Sequence, residues 1–212
     1  MIEVRNLTKK FAGHTSLDNV TCTFKKGDSV ALMGANGAGK TTLVRSILGY
    51  YHPNSGDVVV NGHDPIKQRV EVLKDISFVP QLPPPIKLTI SELLEFVSIS
   101  SDINKNDIIS FAKEMKLDIL KNLDKSFFKL SGGMKQKLLI AIALSKKSDI
   151  LIFDEPTANL DPEARTDFHR LLKDVEKDKI MLFITHRFEE VDDLVNRQIY
   201  MDLGKITLDE KV

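Results

Sequence analysis

Cysteine is nearly missing from this chain: Cys22 is the only one in 212 residues. No disulfide can form within it, and a reducing compartment is expected. Cys22 sits in the strand-like run Val20-Thr21-Cys22-Thr23-Phe24 and reads as packing. Excess charge of either sign is missing too. Lys plus Arg number 30 and Asp plus Glu 30, so neither nucleic acid nor an anionic membrane surface is expected as the main partner. Long apolar runs are lacking. The longest, Leu138 to Leu144, falls far short of the roughly 20 residues that a spanning helix needs. The opening Met1-Ile2-Glu3-Val4-Arg5 has no basic region followed by an apolar one and does not read as a secretory signal. If the protein works at a membrane, another chain is expected to span it. Repeats, low-complexity tracts and long linkers are absent, and the length suits one compact domain with a sizeable core.

What is present centres on the nine residues Gly34, Ala35, Asn36, Gly37, Ala38, Gly39, Lys40, Thr41 and Thr42. They follow an apolar run, Ser29 to Met33, that reads as a buried strand, and they open into Leu43 to Leu48, which reads as a helix. Strand, glycine loop and helix in that order are the context in which G-x-x-x-x-G-K-[ST] is a phosphate-binding P-loop. Glycines permit positive φ, so successive N–H groups can turn inward as an anion nest. The helix N-terminus adds to that field, Lys40 supplies a charge for the β and γ phosphates, and the Thr41 hydroxyl suits Mg²⁺. ATP with Mg²⁺ is the ligand expected. The competing reading is a chance glycine turn.

Before the P-loop, Ile2 to Leu7 and Val20 to Phe24 have β-like alternation, and Lys25 to Asp28 supplies a turn. Phe11, between them, fits core packing better than base stacking on its residue type alone. After the P-loop come strands at Asp57 to Gly62 and Lys74 to Val79, the latter leading to Pro80-Gln81. Pro83-Pro84-Pro85 then bars helix until about Thr89, where Thr89-Ile90-Ser91-Glu92 forms a capping box. Helical periodicity without strand signals marks 82 to 130 as a small helical insert. Ser131 can cap the long helix that follows to about Ser145. Strand Asp149 to Phe153, helix Pro162 to Val175, strand Ile180 to Ile184 and helix Arg187 to Val195 alternate as a parallel α/β layer does. A hairpin around Gly204 closes the chain.

Three strand ends carry the remaining chemistry. Ile150-Leu151-Ile152-Phe153 delivers Asp154 and Glu155. Asp154 is placed to hold Mg²⁺ and Glu155 to deprotonate the attacking water; the plain alternative is an acidic turn. Ile184-Thr185-His186 ends a neighbouring strand, so His186 is a γ-phosphate donor or an exposed structural histidine. Gln81 stands at a third strand end with the same two readings.

Taken in order, Phe11, the P-loop, Gln81, Leu130-Ser131-Gly132-Gly133-Met134-Lys135-Gln136, Asp154-Glu155-Pro156-Thr157, Asn159-Leu160-Asp161-Pro162 and Thr185-His186 resemble the nucleotide-binding subunit of an ATP-binding cassette (ABC) transporter over nearly the whole chain. The L-S-G-G element is the most diagnostic. The resemblance implies an α/β P-loop ATPase core with an N-terminal antiparallel β subdomain (1 to 81 and 146 to 212) and an inserted helical subdomain at 82 to 145. It implies a head-to-tail dimer, with a second copy or a homologous ATPase subunit, in which Ser131, Gly132 and Gly133 of one chain close over ATP on the other's P-loop. Phe11 then stacks on adenine, Gln81 senses Mg²⁺ and the nucleophilic water, Glu155 is the base, His186 contacts the γ-phosphate and Asp161 lies in a loop coupling the two sites. A polytopic transmembrane subunit is expected to dock near 82 to 97, where Ile86 and Leu88 are candidates for exposed contact. That places the protein in the cytoplasm, peripheral on the cytoplasmic face of the inner or plasma membrane. Met134 departs from the glutamine many members carry, without touching the serine and glycines that make the phosphate contacts. Asp124 to Lys129 lacks the T-E-V-G-E pattern of fused exporters, and no regulatory C-terminal domain is expected after the hairpin. The compact separate chain is similar to bacterial exporter-type ATPase subunits. The alternatives are a soluble cassette acting in translation, repair or complex assembly, and an inactive nucleotide-dependent scaffold.

Overall fold

Alternating short and long periodicities along the sequence become alternating strands and helices in a computed structural model, which describes residues 1–174 and 178–212. Strands β1 (Ile2–Phe11), β2 (His14–Phe24) and β3 (Ser29–Met33) precede helix α1 (Lys40–Ile47), β4 (Ser55–Val60), α2 (Arg69–Lys74) and β5 (Ile76–Val79). Helices α3 (Ile90–Ser101), α4 (Lys105–Glu114) and α5 (Gly132–Ser145) come next, then β6 (Ile150–Asp154) and α6 (Pro162–Lys173). Strands β7 (Ile180–Ile184), β8 (Arg197–Asp202) and β9 (Lys205–Lys211) complete the chain.

The chain divides into two compact units. In the first, made of Met1–Ile76, Asp149–Ile152 and Glu176–Val212, an antiparallel sheet of order β2-β1-β4 stands beside a mixed sheet of order β5-β6-β7-β3-β8-β9. The mixed sheet includes β5 and β6, whose last residues run on into the second unit. β3 is parallel to both β7 and β8, while β9 returns antiparallel on β8. Val30, Ala31 and Leu32 of β3 are buried in succession, as a strand covered on both faces requires. Cys22 is buried on β2 opposite Val4, and that burial pushes its thiol up to about 12.

The second unit comprises Ser77–Ser148 and Phe153–Val175. Ile90, Leu94, Ile108, Phe127, Leu138 and Ala141 share its core, each large side chain contributing about 1.5 to 3 kcal/mol by leaving water. The capping box opens α3 as expected: Thr89 Oγ1 accepts from Glu92 N, and the Glu92 carboxylate accepts from Thr89 N at 2.7 Å. Asp161 caps α6, and Pro162 occupies its first turn, where a missing N–H costs nothing. Ala164, Phe168, Leu171 and Leu172 form the buried face of α6, with Phe168 edge-on to Phe153 at 5.5 Å.

Several expectations need correction. β1 and β2 run on to Phe11 and from His14, further than alternation indicated, because register shifts after Val4, Leu7 and Lys9 break the period of two. Lys74 and Asp75 are not strand: Lys74 ends the short helix α2, and β5 begins at Ile76. Arg187 to Val195 is not an α-helix but a single 3₁₀ turn, Phe188–Glu190, followed by turns. Its acidic run supplies the reason, since the Asp192 carboxylate takes the Asp193 N–H that a helix would need. The helix expected at Pro162 to Val175 runs Pro162–Lys173, and Val175 lies outside the described residues.

Candidate functional site

In the first unit the P-loop is a turn that its own surroundings dictate. Gly34, Gly37 and Gly39 take φ of 139°, 85° and 106°, which L side chains rarely adopt. Gly37 needs only that freedom, since a Cβ there would meet nothing, whereas a Cβ on Gly34 would sit 2.1 Å from the Met201 carbonyl oxygen of β8. Ala38 N donates to Ala35 O at 3.1 Å, and Gly204 N to Ala38 O at 3.0 Å, pinning the loop to the β8–β9 turn. Helix α1 starts at Gly39 with no side chain capping it among the described residues and no acidic residue in its first turn, so its leading N–H groups and dipole are left to an anion.

The Lys40 side chain is buried along this loop, and its ammonium donates to Gly34 O at 2.6 Å and Ala35 O at 3.0 Å. The two threonines differ. Thr42 Oγ1 is tied to Ser16 Oγ of β2 at 2.7 Å, while Thr41 is exposed at the helix start. Ser16 was invisible to sequence reasoning, being 26 residues away from Thr42 and in a strand, not in its helix.

β3 and β7 bring a second strand end alongside. Leu32 is paired with Ile184, and Thr185 N donates to Leu32 O at 3.2 Å, so Gly34 and His186 each stand two residues beyond a paired position. Thr185 Oγ1 accepts from Arg187 N at 3.0 Å and turns the chain after His186, which is exposed. Phe11 is 39% exposed rather than core. It lies at the tip of the β1–β2 hairpin, where Ala12 and Gly13 both take positive φ. Its ring meets Tyr51 edge-on at 5.0 Å, with the Lys9 ammonium 4.9 Å from its centroid.

The second unit holds the other residues. Ser131 is the N-cap of α5, its Oγ accepting from Met134 N at 3.2 Å. Ser131 and Gly132 are exposed. A Cβ at Gly133 would lie 3.0 Å from the Asn159 carbonyl oxygen. Asp154 is half-buried at the end of β6, and Glu155 beyond it is only 8% exposed with φ 48°. That left-handed conformation costs a residue with a Cβ roughly 1 to 2 kcal/mol. Asp161 Oδ1 accepts from Ala164 N at 2.8 Å, and this bond, with Lys137 nearby, holds its carboxyl below the usual range. Gln81 is exposed after β5 and Pro80. Gln136, fully buried, is a polar residue that sequence reasoning passed over.

Both halves carry the signature of one family. A family model described as "ABC transporter" matches residues 17–158. The chain belongs to the ABC transporter family. Among curated proteins this cassette is similar to the uncharacterized ABC transporter ATP-binding protein YybJ of Bacillus subtilis (strain 168), 36% identical over 100% of this chain and 97% of that one. It is also similar to the energy-coupling factor transporter ATP-binding protein EcfA2 of Clostridium tetani (strain Massachusetts / E88), 33% identical over 98% of this chain and 78% of that protein. Among solved structures, a dimeric ATP-binding cassette in a post-hydrolysis state bound to ADP and Pi matches with a TM-score of 0.86 at 27% identity, covering 100% of this chain and 98% of that one. This ABC cassette is an ATP-binding and ATP-hydrolysing subunit with the mixed α/β P-loop fold expected of it. The soluble translation, repair or assembly reading is not favoured, since the relatives are ATP-binding proteins of transport systems. Among the described residues no helix is long and apolar enough to cross a membrane.

Proposed function

We propose that this cassette powers a separate polytopic membrane subunit through a head-to-tail dimer, with each ATP held by the P-loop of one copy and capped by Ser131, Gly132 and Gly133 of the other. The observation that carries this reading is an imbalance. The P-loop is a glycine cradle with a buried cation in place and no side-chain cap among the described residues, whereas Ser131 and Gly132 offer an exposed helix start that caps itself.

In this reading the Lys40 ammonium leaves the loop carbonyls for the β and γ phosphates, and Phe11 stacks on adenine beside Tyr51. His186 donates to the γ-phosphate, and Glu155 takes the proton of the attacking water. The donor set fits Mg²⁺, a hard cation that prefers few protein oxygens plus phosphates: the exposed Thr41 hydroxyl, the half-buried Asp154 carboxylate and the Gln81 amide are oxygen donors of that kind. When bound, Mg²⁺ would neutralise charge developing on the phosphates. Asp161 belongs to the loop that couples the sites.

The membrane partner docks, on this proposal, along 82 to 97, where Leu82, Leu88 and Phe96 are exposed. Ile86 is withdrawn from that surface, because it packs against the helical core. Attachment through this partner would make the protein peripheral on the cytoplasmic face of the inner or plasma membrane.

The test is Glu155→Gln. We expect Mg-ATP affinity to stay near wild type while turnover falls about 10²- to 10⁴-fold, the range of a positioned general base, and an ATP-bound dimer to accumulate. Wild-type turnover in that variant would remove Glu155 from the reaction. For docking, Leu82→Asp with Leu88→Asp should leave unfolding unchanged and abolish co-purification with the membrane subunit. Retained co-purification would place the interface elsewhere.

A further inference from the structure

Gln136 lies one turn into α5, with its side chain wholly removed from solvent. Nε2 donates to the Pro156 carbonyl oxygen at 3.2 Å, whereas Oε1 is buried with no hydrogen-bond partner among the described residues. A half-satisfied amide is a poor way to fill a core position, since an apolar side chain of the same shape would avoid the orphaned oxygen. Packing alone therefore does not account for it.

The residue it holds does. Pro156 follows Glu155, whose φ of 48° is unfavourable for any residue with a Cβ. The following proline adds to the cost, because its ring pushes the preceding residue toward extended backbone. A conformation disfavoured twice persists only where the surroundings enforce it. Ala158 N closes the turn on Glu155 O at 3.2 Å, and Gln136 grips the next carbonyl along. A further contact joins the same stretches, Lys137 Nζ at 3.6 Å from Asp161 Oδ2, and the backbones run so close that a Cβ on Gly133 would come within 3.0 Å of Asn159 O. The first turns of α5 and the segment 155 to 161 are thus fastened by side chains at two points.

We propose that Gln136 is a positioning residue for ATP hydrolysis: through the Pro156 carbonyl it holds Glu155 in its strained turn and so aims the carboxylate. The proposal rests on the reading of Glu155 as the general base. It also ties the exposed Ser131 end of α5 to that carboxylate within one protomer.

The experiment measures ATP turnover, nucleotide affinity and thermal unfolding of the full chain carrying Gln136→Met, Gln136→Glu, Glu155→Gln and the Gln136→Met, Glu155→Gln pair. Gln136→Met keeps the shape and deletes the amide. We expect kcat to fall about 10- to 100-fold, the scale of a misaimed catalytic group, with KM for ATP within about twofold and the unfolding midpoint unchanged or higher. In the Glu155→Gln background the same change should cost nothing more. Gln136→Glu gives a pH readout. Burial raises a carboxyl pKa, and only the protonated form can donate to the Pro156 carbonyl, so its turnover relative to wild type should rise as pH falls. Wild-type kcat in Gln136→Met overturns the proposal, and so does an undiminished loss on top of Glu155→Gln. A lowered unfolding midpoint in Gln136→Met, without the acid-side recovery in Gln136→Glu, overturns it in favour of simple packing. Wild-type turnover in Glu155→Gln alone is a separate result that defeats the general-base reading itself.

Discussion

Two helices in this molecule begin at glycine-rich turns, and they are built to opposite plans. At α1 the turn has three glycines at positive φ, a side-chain cap is missing, and a buried lysine lies within the loop. At α5 Ser131 caps the helix itself, Gly132 and Gly133 are already helical, and the turn faces solvent. The first is held in shape by neighbouring backbone on β2 and β8. The second lies against the segment that bears Asn159 and Asp161. A site that surrounds an anion must give up its caps and recruit a cation. One that only closes over an anion from outside can satisfy its own N–H groups and wait as a surface.

The comparison can be broken most decisively by mixing. Lys40→Ala and Ser131→Arg should each lower turnover by about 10²-fold or more, as losing one phosphate-stabilising group does. Combined in one solution, they form some dimers with one intact composite site, and Mg-ATP-dependent dimerisation should return, read by sedimentation. If it does not, the two turns do not share a nucleotide. Glycine replacement sharpens the contrast. Gly34→Ala sets a Cβ 2.1 Å from Met201 O and should cost about 3 kcal/mol or more in urea unfolding, from overpacking and left-handed strain together. Gly133→Ala meets Asn159 O at 3.0 Å at a helical φ and should cost only about 1 kcal/mol. Equal costs would mean the second turn is as tightly imposed as the first.

A smaller difference separates the threonines. Thr41→Val should weaken Mg-ATP binding about tenfold, a 1.4 kcal/mol effect, and leave Mg-free nucleotide binding unchanged. Thr42→Val should instead lose about 1 kcal/mol of stability with the Ser16 bond. The smallest expected effect is acid sensitivity of the second unit. Thr89 N–H holds the Glu92 carboxyl low, as Ala164 N–H does for Asp161. Both folded values lie below the unfolded ones, so their stabilisation is present above the ordinary carboxylate range and fades as pH falls through the depressed values. Glu92→Gln with Asp161→Asn should flatten the acid limb of a pH–stability curve, and an unaltered limb would assign it to other groups.

What the sequence made legible follows from how local each determinant is. β7 was read to its ends, Ile180 to Ile184, because a strand buried at all but one position is a short apolar run. The α3 capping box and the Ser131 cap were legible because each is settled within four residues. Phe11 was misjudged because its exposure depends on a hairpin lengthened by bulges. Ile86 was misjudged for the opposite reason, since a proline-rich stretch still folds it onto the helical core. The P-loop chemistry was readable, but Ser16 and Gln136 were not. Their partners lie in distant segments, and no local pattern distinguishes a serine that anchors a threonine or a glutamine that grips a carbonyl.

Cys22 also has a practical use. Because its thiol is buried and pushed to about 12, maleimides and disulfide reagents should pass over the native fold. Any reaction that does occur should report the β1–β2 hairpin opening, so the rate of labelling clocks that event directly. The same silence makes the wild-type chain a ready background for a single introduced cysteine. A spectroscopic label at position 132 on one copy and position 36 on another would then watch the two turns approach each other in real time.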